Sequence, residues 1–538
     1  MSPEPEPAGW VSALREDLGH RRIAQGEGLL ERLRLQLESL EAKPGAGALL
    51  GLAAQWMDAG FEGPAIIERM LARFPHCARA SLPLSDYLHV RMAESAVAMA
   101  REDFDAASAH LRLVLRFQGE IDDLEMFAIA NFWLGRVLRK QGHYDEALEY
   151  TTRGERHALS LGYAGMAAIM QVTLSWLAFQ KGRLNEANRI LSRAEEALNR
   201  TDDFLSRGNV QSAYGRIARR QGKYQAAVER FDSAIGEFRC CGGKPLALAR
   251  TLVNLAFVKR LLAVQAQREL DRLAAVRRGK PGATADPARI ERIGIEQMRD
   301  EARGILQEAA GIYERHQNQR GIAAVRITEG FLRLDSGDLE GASTDAAEAF
   351  THAIGRSDAI IMARARTLQC IVEQAAIDEQ VGNAGQHREA AEVFAREAVS
   401  LAGQTENRRL LARALVWQGL TFTVEPADLE GARRCCEQAV GLLEPETPER
   451  QYVWEELQVL KTRVLHAQPI EAMLRAWSAG IVEGRSLALI LEEFTRIVIR
   501  RVWEREGRKV SRVARKLSVS PKKVRRILQA SGCIHHED

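Results

Sequence analysis

The densest chemistry in this 538-residue chain lies near its end, where Arg512, Arg515, Lys522, Lys523, Arg525 and Arg526 cluster. Guanidinium and ammonium groups packed this closely suit phosphate oxygens, which accept charge-assisted hydrogen bonds from them. From Arg500 to Ala530, twelve Lys or Arg stand against Glu504 and Glu506, a net +10 in a chain whose total is +3, so the remaining residues carry −7. A compact basic module on a slightly acidic body is the electrostatic footprint of DNA binding. The spacing also dictates the elements that must hold these cations. Ser511 is expected to cap a helix over 512–517, Ser518-Val519 to turn the chain, and Ser520 to cap a second helix with Pro521 at its first position. In that second helix Val524, Ile527 and Leu528 share one side and face Val513, Ala514 and Leu517, while Lys522, Arg525, Arg526 and Gln529 point away and Lys523 stands on the flank. Lysines in a first turn oppose the helix dipole by about a few tenths of a kcal/mol, a cost that phosphate would offset. Ser520 is expected to present the helix N-terminus to a phosphate, with Arg512 and Arg515 on the neighbouring backbone. Together these features predict a helix-turn-helix.

Leu491 to Gly532 resembles the Fis-type helix-turn-helix, the module that ends factor-for-inversion-stimulation proteins and the nitrogen-regulation class of transcription activators. Its pattern falls on Leu491, Glu492, Ile499, Gly507, Ala514, Leu517, Ser518, Val519, Lys523, Val524 and Leu528 without gaps. Three positions depart from it. The turn glycine is Ser518, the threonine opening the recognition helix is Lys523, and Pro521 stands where members often carry arginine. The resemblance implies double-stranded DNA as partner, with phosphate contact carried over more directly than base readout. It also implies a homodimer built on the preceding helix, where Leu487, Leu491, Phe494 and Val498 form a stripe.

Upstream, the body repeats. Ala107, Ala147, Ala187 and Ala227 are each 40 residues apart, and the surrounding segments GHYDEALEY, GRLNEANRI and GKYQAAVER align. Each has a Gly turn, a large side chain and a small Ala, after an amphipathic helix. A small residue lets paired helices approach, and each unit buries its face against its neighbours. The set Leu134, Gly135, Gly142, Tyr144, Ala147, and again Tyr214, Gly215, Gly222, Tyr224, Ala227, Phe231, Ala234, resembles tetratricopeptide repeats with lengthened helices. The register returns at Ala302 and Ala342, after an insertion near 264–298 read as two overlong helices and an exposed loop. Weaker repeats follow around Ala390 and Ala432. The expected architecture is all-α: capping helices over 1–80, a tetratricopeptide-like superhelix over 81–445, connecting helices over 446–484 with Gly480 and Gly484 as a hinge, and the small helix-turn-helix module over 485–538.

By analogy with such arrays, first helices line the concave face. That places Arg136, Arg139 and Lys140, then Trp176 and Phe179, then Arg216, Arg219 and Arg220, then Lys259 and Arg260 along a groove suited to an acidic peptide or a C-terminal carboxylate, so that the expected partner is a protein or acidic peptide. Catalytic signatures are missing. CGGKP at 241–245 and GKPGAT at 279–284 lack phosphate-loop spacing, and no zincin, nucleophile-elbow or dinucleotide motif occurs. The seven cysteines show no metal spacing and read as thiols of a reducing cytoplasm, and His535-His536 as a frayed tail. No cofactor, metal or membrane is expected, and the chain is read as a non-enzyme. The favoured expectation is a cytoplasmic, sequence-specific DNA-binding transcriptional regulator whose array binds a protein or peptide. The alternative is a co-chaperone-like scaffold whose basic tail binds RNA or an acidic protein.

Overall fold

The computed structural model describes residues 7–61, 63–240, 245–277, 286–424, 427–443, 452–466, 477 and 486–530. These form two compact units, Met1–Leu460 and Lys461–Asp538. Among the described residues there is no strand, only helices and one isolated bridge between Gln118 and Ile121.

The first unit opens with α1 (Pro7–His20), α2 (Ile23–Glu38), α3 (Ala46–Ala59), α4 (Pro64–Ala72) and the single turn α5 (His76–Arg79). Eight antiparallel pairs follow: α6 (Leu84–Ala100) with α7 (Phe104–Arg116), α8 (Leu124–Gln141) with α9 (Tyr144–Ser160), α10 (Ala164–Gln180) with α11 (Leu184–Leu198), α12 (Phe204–Arg220) with α13 (Tyr224–Cys240), α14 (Pro245–Arg277) with α15 (Asp286–Arg315), α16 (Gln319–Asp335) with α17 (Leu339–Ile354), α18 (Ala359–Asp378) with α19 (Ala384–Gly403), and α20 (Arg408–Thr421) with α21 (Leu429–Leu443). The first helix of each pair touches the first helix of the next, which bends the stack into a superhelix with an inner and an outer layer. Burial follows the layers. Inner α8 is buried almost all round, whereas outer α9 and α11 bury a single stripe each.

Ala107, Ala147, Ala187, Ala227, Ala302 and Ala342 are all fully buried. Their small size is needed because the helices touch closely: a Cβ on Gly135 would lie 3.1 Å from the Ala147 carbonyl, and one on Gly215 would lie 2.7 Å from the Phe231 ring. In the seventh pair the register differs from expectation by one residue. Ala391, not Ala390, is the fully buried alanine, because Ala391 and Ala395 share the helix side that packs on Cys370. The insertion forms the overlong helices α14 and α15, and its tip at 278–285 lies outside the described residues.

The turns inside the pairs share one construction. Gly142, Gly182 and Gly222 take positive φ, and the next amide bonds back to the helix end, as His143 does to the Leu138 carbonyl. At pair-to-pair junctions an acid or amide caps the incoming helix: Asp123, Asp203, Asn318, Asp358 and Asn407 each accept from its first turn.

The array also meets itself. At this seam the Glu406 amide donates to the Gly142 carbonyl at 3.0 Å, the Asp145 amide to Glu406 Oε2 at 2.7 Å, and Asn407 Nδ2 to the Tyr144 hydroxyl at 3.2 Å. Nearby, Glu102 accepts from Asn318 Nδ2 at 3.0 Å and from the Arg320 amide at 3.3 Å, while Arg356 Nη1 reaches the Arg101 carbonyl. Turns inside the first two pairs therefore rest on junctions between the fifth and eighth pairs. The next helix, α22 (Tyr452–His466), buries Val453, Leu457 and Leu460, with Leu460 against Gly419, so the start of the expected connecting segment closes the array's end. Gly480, Gly484 and His535-His536 lie outside the described residues.

The second unit holds α23 (Leu487–Arg505), α24 (Val510–Lys516) and α25 (Pro521–Ala530), packed round Ile499, Trp503, Val513, Ala514, Val524 and Leu528. Its turn is as the sequence implied. Ser518 sits at φ 54°, and the Val519 amide bonds back to the Ala514 carbonyl at 3.0 Å. Ser520 caps α25 by accepting from the Lys523 amide at 3.2 Å. Ser511, however, is not a cap. Val510 packs into the core, so the helix begins there and Lys509 occupies the capping position without a side-chain bond, leaving Ser511 exposed as the second helical residue.

Candidate functional site

Two sets of cations stand out, and they differ in surroundings. The first lines the inner layer of the array. Of the groove residues read from sequence, Arg136 is committed to Asp58 Oδ2 at 2.5 Å and lies over Phe132. Arg139 stacks over Trp176 at 4.7 Å, and Tyr144 meets the same indole edge-on at 5.3 Å. Phe179 is only 7% exposed, with the Arg220 guanidinium above it and bonded to its carbonyl. The expected aromatic patch is therefore covered by the protein's own arginines. Arg219 donates to Asn254 Oδ1 at 3.0 Å and lies over Phe257. Lys259 and Arg260 are taken by Glu301 and Asp335.

What remains is a knot of positive charge around Arg139, Lys140 and Arg216, joined by Arg250 from α14 and Arg320 from α16. Arg250 Nη2 donates to Asn209 Oδ1 at 2.9 Å. Arg320 pairs with Asp358 at 2.9 Å and donates across the seam to the Lys140 carbonyl at 3.3 Å. Among the described residues, Arg139, Lys140, Arg216 and Arg250 form no ion pair with a carboxylate. Burial, then Arg250, Arg136 and Arg320, push the Arg139 guanidinium down to about 9. Burial, then Arg320, Arg139 and Arg250, hold Lys140 well below the usual ammonium range, with the Glu102 carboxylate opposing them only in part. Arg216 is likewise pushed well down by burial, Arg250, Arg139 and Arg219. Burial also lowers Arg250. Desolvated like charges of this kind are costly unless an anion joins them.

Arg250 and Arg320 carried no signal in the sequence. Arg250 is one of five arginines on α14 and Arg320 one of three on α16. Stacking of neighbouring pairs sets Arg250 on Asn209, and closure of the array brings Arg320 to Lys140, 180 residues away.

The second set is open to solvent. Arg512, Arg515, Lys522, Lys523, Arg525 and Arg526 are all exposed, as is Ser520, and none of the six cations makes an ion pair among the described residues. Inward, Val524 and Leu528 are fully buried, so α25 is held by one side and offers the other. Lys516 on α24 is engaged, with Glu506 at 2.5 Å. Along α23, Leu487 is 71%, Leu491 55% and Phe494 46% exposed, while Val498 is half-buried.

No group of His, Cys, Asp or Glu among the described residues is arranged to hold a metal ion, and no helix among them is long and apolar enough to cross a membrane. Among the described residues, Cys77, Cys240, Cys370 and Cys435 are free thiols.

No protein-family model matches the chain, and no curated protein matches it. Among solved structures it is similar to a Rap protein complexed with Competence and Sporulation Factor, at 14% identity over 74% of this chain and 99% of that one, with a TM-score of 0.53. It is also similar to the apo form of the quorum sensor NprR from B. thuringiensis, at 12% identity over 81% and 98% of the two chains with a TM-score of 0.40. A third is aspartyl phosphate phosphatase F from Bacillus subtilis, at 10% identity over 82% and 96% with a TM-score of 0.39. The first of these likenesses agrees with the tetratricopeptide-like superhelix described above.

Proposed function

We propose that this protein is a sequence-specific DNA-binding transcriptional regulator whose tetratricopeptide-like array recognises an acidic protein or peptide. One observation carries the DNA half: α25 turns Val524 and Leu528 into the core and leaves Lys522, Lys523, Arg525 and Arg526 outward with no acid engaged among the described residues. Such a face suits the major groove, and the capped N-terminus at Ser520 suits a phosphate. The Fis-type pattern supports it, and the exposed Leu487, Leu491 and Phe494 on α23 support a dimer presenting two such helices to a pseudo-palindrome. Support for the array half is the unpaired charge at Arg139, Lys140, Arg216 and Arg250 among the described residues. The Rap protein that shares this fold is complexed with Competence and Sporulation Factor. In this reading the chain binds rather than catalyses, and works in the cytoplasm.

The test is a titration of the full-length protein with duplex DNA and with single-stranded RNA across a range of salt. Duplex binding with a steep salt slope is expected, lost when Lys522, Lys523, Arg525 and Arg526 are all replaced by Ala. Equal duplex affinity in that variant, with helical content preserved, overturns the assignment, and preference for RNA favours the scaffold alternative. Sedimentation at micromolar concentration with DNA present checks the dimer.

A further inference from the structure

The interior cations and the seam share Arg320. Its guanidinium pairs with Asp358, its Nη1 reaches the Lys140 carbonyl, and its own amide donates to Glu102. Closing the seam therefore brings Arg320 up to Arg139 and Lys140, two cations without a carboxylate partner among the described residues. Hydrogen bonds favour the closed seam, and like-charge repulsion opposes it. An anion among these groups removes the repulsion and leaves the hydrogen bonds.

Charge sets the ligand's class. Asp58 and Asp358 already satisfy Arg136 and Arg320, so Arg139, Lys140, Arg216 and Arg250 are the groups left to answer. Arg250 bonds to Asn209 on α12, the helix that also carries Arg216, Arg139 lies over Trp176 beside the seam residue Tyr144, and the Lys140 carbonyl takes Arg320. The four cations therefore gather on the inner layer beside the seam, where Arg139 and Arg250 also act on Lys140 and on Arg216 through space. Trp176 is covered by Arg139, which leaves the recognition to charge.

We propose that this locus binds a compact oligo-anion, three or more oxyanions in close succession, and that its binding holds the array closed across the seam at Arg320. The proposal rests on the reading above that the concave face takes an acidic ligand, and it narrows that ligand to concentrated charge. A phosphoryl chain and a run of peptide carboxylates both supply the chemistry. By linkage, a ligand that prefers the closed array must populate it, and closure must tighten the ligand.

Hydrogen exchange of the full-length protein at low ionic strength tests this, read at the amides of Asp145, Arg320 and Glu406, with tripolyphosphate and tetraglutamate peptide as probes. At least one probe should slow exchange at all three amides by about 10-fold. Tripolyphosphate acting alone keeps the site and removes the acidic peptide from the functional reading; tetraglutamate acting alone keeps both and excludes the phosphoryl source. Arg216→Gln removes a side chain that forms no ion pair among the described residues, so it should abolish the slowing while raising the melting temperature of the ligand-free protein. No slowing by either probe, binding by calorimetry without slowing, or slowing that survives Arg216→Gln overturns the proposal. The DNA titration is independent of all these outcomes.

Discussion

The array interior and the surface of α25 are both basic, yet they hold their charge in opposite ways. On α25 the cations are exposed to water, and each costs the fold little. Inside the array, Arg139, Lys140 and Arg216 are half-buried, and Arg139 faces both of the others. An exposed set can meet any polyanion, and discriminates by the shape and edges of what it meets. A desolvated set is selective by default, because only a ligand that supplies the missing charge in the right place offsets the desolvation already incurred. The two regions should therefore respond differently to salt, pH and mutation.

The largest expected effect is on the open side. Replacing Lys522, Lys523, Arg525 and Arg526 by Ala should weaken duplex binding ~100-fold or more at low salt and flatten the salt slope by roughly 0.9 for each phosphate that is no longer neutralised. Binding of a small anion in the interior should show a much shallower slope, since enclosed charges are screened less. Equal slopes for the two ligands, by fluorescence anisotropy and calorimetry, would erase the distinction.

Next comes packing. Ala227 is fully buried between α12 and α13, so Ala227→Leu should overpack the pair and cost about 1–3 kcal/mol in urea unfolding. Removing interior charge should do the reverse. Arg216→Gln deletes a crowded cation and should stabilise the array by about 1 kcal/mol, while the same change at exposed Arg525 should leave stability within ~0.5 kcal/mol.

The pH response is smaller and its sign is definite. Lys140 has a folded value below its unfolded one near 10.5, so the folded array disfavours its charge. That penalty is complete below the folded value and fades as pH climbs to 10.5. Stability of the array should thus rise with pH across that window, and Lys140→Met should flatten the rise in urea midpoints. The smallest effect belongs to the helix-turn-helix. Ser518 holds a left-handed φ without being glycine, so Ser518→Gly should stabilise the second unit by about 0.5 kcal/mol, strain relief of ~1–2 less the flexibility glycine adds to the unfolded chain.

How legible these features are follows from the range of the forces that make them. The 40-residue alanine spacing, the glycine turns and the α25 faces are local consequences of helix geometry, and Ala107, Ala147, Ala187, Ala227, Ala302 and Ala342 are all buried as their spacing implies. Adjacent alanines blur the register, which is why Ala391 rather than Ala390 fills the seventh pair. Ser511 illustrates competition between levels: its capping propensity yields to the burial of Val510. The interior locus is the least legible. Arg136 and Phe179 read as groove residues but are engaged by Asp58 and Arg220, while Arg250 is set by stacking on the neighbouring pair and Arg320 by superhelical closure.

That closure changes how the array should fold. A stack of helix pairs held only by neighbours behaves as a one-dimensional chain, in which any stretch can form alone and ends fray freely. Here Asp145 and Glu406, 261 residues apart, are joined. Contacts so remote in sequence raise the entropy that must be given up before they form, and they link the fate of the first pairs to that of the last. Shortening the array by its final pair should accordingly loosen amides at Gly142 to Asp145, far from the cut, and make unfolding of the remainder less cooperative.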